Sequence, residues 1–193
     1  VDANGDGIID DNDRMPLFWS GTPLIHYGFN LEASWKNFDI YALLQGAGMY
    51  TVQFSEVYAE VLWSKGANTP AYFYDRWRKE DPYNPNSKWV AGKWPATRLI
   101  QDTGAMYKES NIWRRDASYL RLKTLELGYT LPDSILRKSG ISNIRFYING
   151  YNLLTFCDSF VKAFDPEKVE GSYSAGMNYP LTKSFNIGFT ANF

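Results

Sequence analysis

The residues with the clearest capacity for chemistry stand early in the chain, in the run Asp2-Ala3-Asn4-Gly5-Asp6-Gly7-Ile8-Ile9-Asp10-Asp11-Asn12-Asp13. Oxygen-bearing residues at alternate positions of a tight turn converge on one point, and a hard cation such as calcium takes six to eight oxygens at about 2.3–2.6 Å. Set against the calcium loop of an EF-hand, Asp2, Asn4 and Asp6 occupy loop positions 1, 3 and 5, and Gly7 occupies the sharp turn at 6. Ile8 offers its backbone carbonyl at position 7, Asp10 acts through water at 9, and Asp13 stands at 12. Aspartate at 12 is one methylene shorter than the usual glutamate, which shortens the reach for bidentate closure. The expected role is structural: calcium fills the loop and holds an external segment in shape. The competing reading is a solvated acidic turn.

Other candidate chemistry is thinner. Trp63, Tyr72, Tyr74, Trp77, Trp89 and Trp94 crowd one stretch and are the candidate substrate- or partner-binding residues, because aromatic side chains concentrate at such surfaces. Aromatic residues are also what a loop buries to hold its own shape. His26 is the single histidine and has no second ligand or base near it in sequence, so zinc chemistry and a catalytic triad are both poorly served. Asp165 and Glu167 form a carboxylate pair of the kind glycoside hydrolases use, but sequence gives no separation between them. No nucleophile elbow, P-loop or dinucleotide fingerprint occurs, and no catalytic residue is assigned. Cys157 is alone, so neither an internal disulfide nor a cysteine-rich metal site is available, and packing is its expected role.

The elements that must position these residues are strands. The 193 residues include 20 basic and 21 acidic side chains, a balance that creates no long-range field for a polyanion, so nucleic-acid binding is not expected. Mean hydropathy is negative and no run of about 18 apolar residues exists, so no helix crosses a membrane. A membrane β-strand hides from such averages because lipid-facing and lumen-facing residues alternate, while aromatic girdles raise the Trp, Tyr and Phe content, which is 17% here. Alternation governs Ile25 to Trp35, then Phe38 to Gln45 across a tight Lys36-Asn37 connection, which reads as a hairpin. It returns in Ser118–Thr130, in the segment around Ile144, Phe146 and Ile148, and in Ser184–Phe193. The apolar parity of the third segment shifts near Thr124, where a β-bulge would restore the facing.

The connections are unequal. About 70 residues, Gly48 to Ala117, separate the second and third strands, and about 30, Thr155 to Lys183, separate the last two. The short connections, at Lys36 and at Leu131 to Asn143, fall at alternate junctions, as up-and-down topology with long loops at one rim requires. In the latter, Pro132-Asp133-Ser134 starts a helical turn that Gly140 ends. Gln53 to Lys65 fits an amphipathic helix with Val57, Val61 and Leu62 on one face and Gly66 closing it. The expected organisation is an external calcium-type loop over 1–22, a hairpin over 23–47, a long external loop over 48–117, two strands with a periplasmic turn over 118–153, an external loop over 154–182 and a final strand over 183–193. Five strands are too few to close a barrel, since the smallest single-chain barrels have about eight.

Taken together, the acidic run through Arg14, Tyr27-Gly28-Phe29, Phe38-Asp39-Ile40, Leu44-Gln45-Gly46-Ala47-Gly48, Tyr119-Leu120-Arg121-Leu122-Lys123 and Leu127-Gly128-Tyr129-Thr130-Leu131-Pro132 resemble the C-terminal part of the SusC/RagA family of TonB-dependent outer-membrane transporters. Asn149-Gly150-Tyr151-Asn152-Leu153-Leu154-Thr155, Asp165-Pro166-Glu167 and Ser184-Phe185-Asn186-Ile187-Gly188-Phe189 continue the resemblance over nearly the whole chain. It implies an all-β fold: an antiparallel up-and-down transmembrane β-barrel segment of about five strands, in a plugged barrel of about 22. It further implies import of oligosaccharides or peptides across the outer membrane of a Gram-negative bacterium, with a SusD-like surface lipoprotein over the external mouth. The plug and the segment that engages the TonB complex would lie in an N-terminal part absent from this chain. This chain would supply barrel wall against outer-membrane lipid, loops, and lumen lining from Asn30, Asp39, Gln45, Arg145 and Asn149. The alternative is a secreted calcium-binding β-sandwich that binds carbohydrate, which requires two buried sheets and short, similar loops.

Overall fold

The computed structural model describes residues 2–8, 10–16, 18–54, 69–97, 111–137, 140–168 and 179–193. Its strands are β1 (Ile25–Trp35), β2 (Phe38–Gly48), β3 (Thr51–Gln53), β4 (Arg78–Lys79), β5 (Trp89–Val90), β6 (Arg114–Asp116), β7 (Tyr119–Thr130), β8 (Asn143–Phe156) and β9 (Ser184–Asn192). Two short helices accompany them, α1 (Asp133–Leu136) and α2 (Ser159–Lys162), with 3-10 turns at Asp11–Asp13, Ala71–Asp75 and Pro166–Lys168. The amphipathic helix expected after Gln53 falls mostly outside the described residues, as does Trp63, and Gln53 itself ends β3.

Five strands form one antiparallel sheet in the order β1-β2-β7-β8-β9, while β3 pairs β6 and β4 pairs β5 in two-stranded ribbons. Wall neighbours are also consecutive wall strands in sequence, which is the expected up-and-down arrangement. The β1–β2 turn is two residues long, with Trp35 opposite Phe38 and Lys36 at a φ of 54°. Positive φ at the first turn position gives the backbone the twist that a two-residue hairpin needs. At the other short connection Pro132 caps α1, the side chain of Leu136 is buried, and Gly140 takes a φ of 73°.

The parity shift is a bulge. Leu44 pairs with Leu122 but Leu43 with Thr124, so Lys123 has no partner in β2, and β8 answers at the same level with Asn152 at a φ of 54°. The extra residue returns Leu125, Leu127 and Tyr129 to the face already held by Leu120 and Leu122. Two bounds differ from the sequence reading. β8 runs on to Phe156 because Arg121 and Leu120 continue to pair with Thr155 and Phe156, and β2 reaches Gly48, paired with Ile25.

One face of the wall is apolar and exposed: Phe29, Leu31, Phe185, Ile187 and Phe189 all lie open, Ile187 at 86%. Soluble monomers rarely expose contiguous apolar patches beyond a few hundred Å². Among the described residues no second sheet packs on this face, so the two-sheet sandwich is not the fold. Most of the buried hydrophobic residues instead sit at or beyond the long-loop ends of the strands. Ala47, Tyr50, Val52, Phe54, Ala117, Tyr119 and Val161 form one cluster, with Cys157, Phe160 and Phe164 against it, and Phe73, Trp94 and Trp113 form a second. Phe160 bridges the two, with its ring 4.9 Å from Phe54 and 5.5 Å from Trp94. Cys157 has the packing role expected of it, and burial pushes its thiol pKa up.

Candidate functional site

The opposite face of the wall is polar and its charges are paired. Alternation brings Asp39 of β2, Glu126 of β7 and Arg145 of β8 to this face near the short-turn rim. Arg145 donates through Nε and Nη2 to Asp39 at 3.1 and 2.5 Å and through Nη2 to Glu126 at 2.7 Å. Asn149 extends the chain to Glu126 at 3.1 Å, and Asn186 of β9 donates to Asn149 at 2.9 Å. The network therefore ties four strands together across their polar side. Of the residues expected to line the lumen, Asp39, Arg145 and Asn149 meet here; Asn30 accepts from Tyr41 at 3.4 Å, and Gln45 lies further along, opposite Gly28 and Arg121. His26 is on the same face, opposite Ala47.

Gly128 sits beneath the Arg145–Asp39 pair, and a Cβ there would run into both the guanidinium and the carboxylate. Gly128→Val is therefore expected to unseat the pair and lower the stability of the sheet by about 1–3 kcal/mol, the usual range for overpacking. Urea unfolding of the full-length protein measures it.

A second charged cluster lies at the long-loop end of the same face. Arg121 donates to Asp165 at 2.5 Å, to Glu167 at 2.8 Å and to the Thr155 hydroxyl at 2.9 Å, and Lys123 donates to Glu167 at 2.6 Å. The Arg121 and Asp165 side chains are each only 3% exposed. Asp165 also accepts the backbone N–H of Leu181 at 2.7 Å and of Glu167 at 3.1 Å, and it holds a φ of 66°. Tyr50 donates its hydroxyl to the Pro166 carbonyl at 2.9 Å, and burial pushes that hydroxyl far above its ordinary pKa, keeping it a donor. These contacts clamp the segment after β8 onto the wall. Asp165 and Glu167 are thus ion-pair partners of one arginine, an arrangement that leaves neither as a free acid or base. Arg121 and Lys123 at polar-facing positions beside a distant acidic pair were the available signal, yet sequence spacing alone does not join them.

The acidic turn is folded on itself. Asp2 accepts the N–H groups of Gly5 and Gly7 at 2.6 and 2.9 Å; Asn4, Asp6 and Asp10 each accept the N–H two residues on; Asp13 accepts from Ala3 and Asp10. Gly5 and Gly7 take φ values of 79° and 81°, the left-handed turns that wrap the chain around these acceptors. The Gly7 and Gly5 N–H groups hold the Asp2 carboxyl below its usual range, and those of Asp10 and Ala3 do the same for Asp13. The donors suit a hard cation in type, and a carboxylate oxygen that accepts one N–H keeps a further lone pair. In spacing, no group of three or more His, Cys, Asp or Glu side chains among the described residues lies close enough to hold a metal ion.

The aromatic candidates divide. Trp94 is buried, stacked on Trp113 with centroids 5.4 Å apart, and Tyr72 packs on it at 4.8 Å. Tyr74, Trp77 and Trp89 are exposed around the β4–β5 ribbon, where the Lys79 ammonium lies 4.7 Å from the Trp89 ring centroid. Tyr83 stands open at the ribbon tip and was not singled out by sequence.

No family model matches the chain. Two curated relatives from Formosa agariphila align over its whole length: TonB-dependent receptor P3 at 32% identity and TonB-dependent receptor P26 at 30%. The chain spans 18% and 19% of their lengths, about a fifth. Among solved structures, the RagAB peptide importer in its open-open state matches with a TM-score of 0.67 at 25% identity, covering 96% of this chain and 19% of that one. The RagAB peptide transporter matches with a TM-score of 0.66 at 26% identity, covering 94% and 19%.

Proposed function

We propose that the chain is a barrel segment of a SusC/RagA-type TonB-dependent receptor and forms one arc of the wall of an outer-membrane importer of peptides or oligosaccharides. The observation that carries this reading is the two-faced wall: one exposed apolar face, one ion-paired polar face, and every long connection at a single rim. Only a sheet between lipid and a wet lumen needs that division. In this reading the chain binds no substrate alone; it supplies lumen lining and a loop platform, while the plug and the contact with the TonB complex belong to the rest of the receptor. A SusD-like lipoprotein sits over the loop rim, with the exposed Tyr74, Trp77 and Trp89 as its contacts or those of the cargo. The full receptor should fractionate with the outer membrane of a Gram-negative cell, require detergent and co-purify with a lipoprotein. A monodisperse, detergent-free monomer overturns the reading. Peptide cargo follows the RagAB neighbours, and glycan cargo would use the stacking surfaces of Trp77 and Trp89. Binding of a peptide pool against an oligosaccharide pool by the purified receptor–lipoprotein complex decides between them.

The acidic turn is proposed to take structural calcium through Asp2, Asn4, Asp6, Ile8, Asp10 and Asp13, whose oxygen donors stand too far apart in the folded turn and would have to draw together around the ion. Affinity of the extracellular class, about 10⁻⁴–10⁻³ M, is expected. Calorimetric titration of chelator-stripped receptor checks it, with Asp2→Asn/Asp6→Asn as the comparison; no heat from the parent protein at millimolar calcium removes the proposal.

A further inference from the structure

Two routes join the wall to the aromatic core at its long-loop end. One follows the chain: β3 comes shortly after β2 and β6 shortly before β7, and the Phe54 N–H donates to the Trp113 carbonyl at 2.9 Å, which leads to the stack of Trp113 on Trp94. The other is the strap of residues 157–168, which touches both the polar-face clamp and the core. At one end Arg121 holds Asp165 and Glu167, and Tyr50 holds the Pro166 carbonyl. At the other, Asp158 caps α2 by accepting the Phe160 and Val161 N–H groups, which fixes Phe160 on the first helical turn, and Val161 is fully buried.

Phe160 is the ring by which the strap reaches the second cluster. It meets Phe54 edge-on at 4.9 Å and lies 5.5 Å from Trp94 and 5.3 Å from Tyr72, while the Arg115 guanidinium covers both Phe160 and Trp94, at 5.4 and 5.9 Å. Trp94 in turn forms the base of the β4–β5 ribbon: its carbonyl accepts the Trp77 N–H at 2.8 Å and its N–H donates to the Asp75 carbonyl at 3.0 Å. Gly92 lies too close to the Arg76 backbone for a Cβ to fit, so the base has little slack and a shift of Trp94 carries Trp77 with it. Packed cores switch between discrete arrangements rather than deform continuously, so the strap is either seated, with Phe160 in its slot, or withdrawn. We propose that residues 157–168 couple the wall to the ribbon: while Arg121 grips Asp165, Phe160 stays seated and pins Trp94, and release of that grip loosens the ribbon base. The strap is then one local opening unit whose equilibrium both of its ends bias. This coupling needs neither membrane nor cargo.

Native-state hydrogen exchange of the full-length protein, read by mass spectrometry at the Trp77 and Trp94 amides, tests it. Arg121→Leu should speed exchange at both by about fivefold or more, the lower end of ordinary coupling between sites, with the β1–β2 hairpin amides at parent rates. Asp165→Asn, the gentler variant, should move the same two amides in the same direction by less. Phe160→Ala should speed them by itself, and in that background Arg121→Leu should add less than about twofold at the ribbon base, the scatter of independent sites, while still opening the strap to protease. Parent exchange rates at Trp77 and Trp94 in an Arg121→Leu protein whose strap is cut would overturn the proposal. So would equal acceleration with and without Phe160, which routes the effect elsewhere, or a rise that extends to the β1–β2 hairpin, which marks general loosening.

Discussion

Arg121→Leu in the full-length protein is expected to free the segment that follows β8. The substitution strands a buried Asp165 carboxylate and removes one of two cations from Glu167, and breaking such a pair costs about 3–5 kcal/mol. The loss falls on the contact between wall and loop, so limited proteolysis should cut within residues 157–168 far faster in the variant, while the strands stay folded. Asp165→Asn should be milder than Asp165→Ala: asparagine tolerates the φ of 66° and keeps one acceptor oxygen, for either the Leu181 or the Glu167 N–H but not both, whereas alanine does neither. The same clamp is acid-sensitive. Burial by itself would raise the Asp165 carboxyl, but the Arg121 guanidinium and the two N–H groups outweigh it and hold the group below its ordinary 3.8. A depressed folded pKa stabilises the loop fully above the unfolded value, and that stability is lost as pH falls through the folded value. Cleavage of the parent protein should therefore accelerate below pH 4 and approach that of Arg121→Leu, which has little left to lose; equal acid sensitivity in both would show that other groups govern the loop.

Trp94→Ala carries the second large effect. Trp94 is 4% exposed and touches Trp113, Phe73, Tyr72 and Phe160, so its truncation should cost about 3–5 kcal/mol and loosen the whole loop core. Trp89→Ala, by contrast, removes an exposed ring and should change stability by no more than about 0.5 kcal/mol. If the exposed aromatic residues serve a partner, Trp89→Ala and Trp77→Ala must lower lipoprotein co-purification or cargo binding at unchanged thermal stability. Should binding in these variants match the parent, the surface of the β4–β5 ribbon has no part in recognition.

The wall was legible in the sequence because a strand with one apolar and one polar face writes its facing into every second residue. Ser184 to Phe193 needed nothing more, and even the Lys123 bulge showed as a slip in leucine parity. The clamp was not legible: Arg121 and Asp165 are 44 residues apart, and nothing in either neighbourhood reports that the chain returns there. The aromatic stretch was legible only as a composition. Tyr72 and Trp94 differ from Tyr74 and Trp89 in burial, which depends on the path of a loop without periodicity.

The order β1-β2-β7-β8-β9 leaves one backbone edge of β1 and one of β9 without a partner among the described residues. In water such edges recruit other chains; in hydrocarbon each unpaired N–H or C=O costs several kcal/mol. In the proposed barrel a half-zipped wall is therefore no resting place in a bilayer, and the two open edges of this arc call for flanking strands before it enters one.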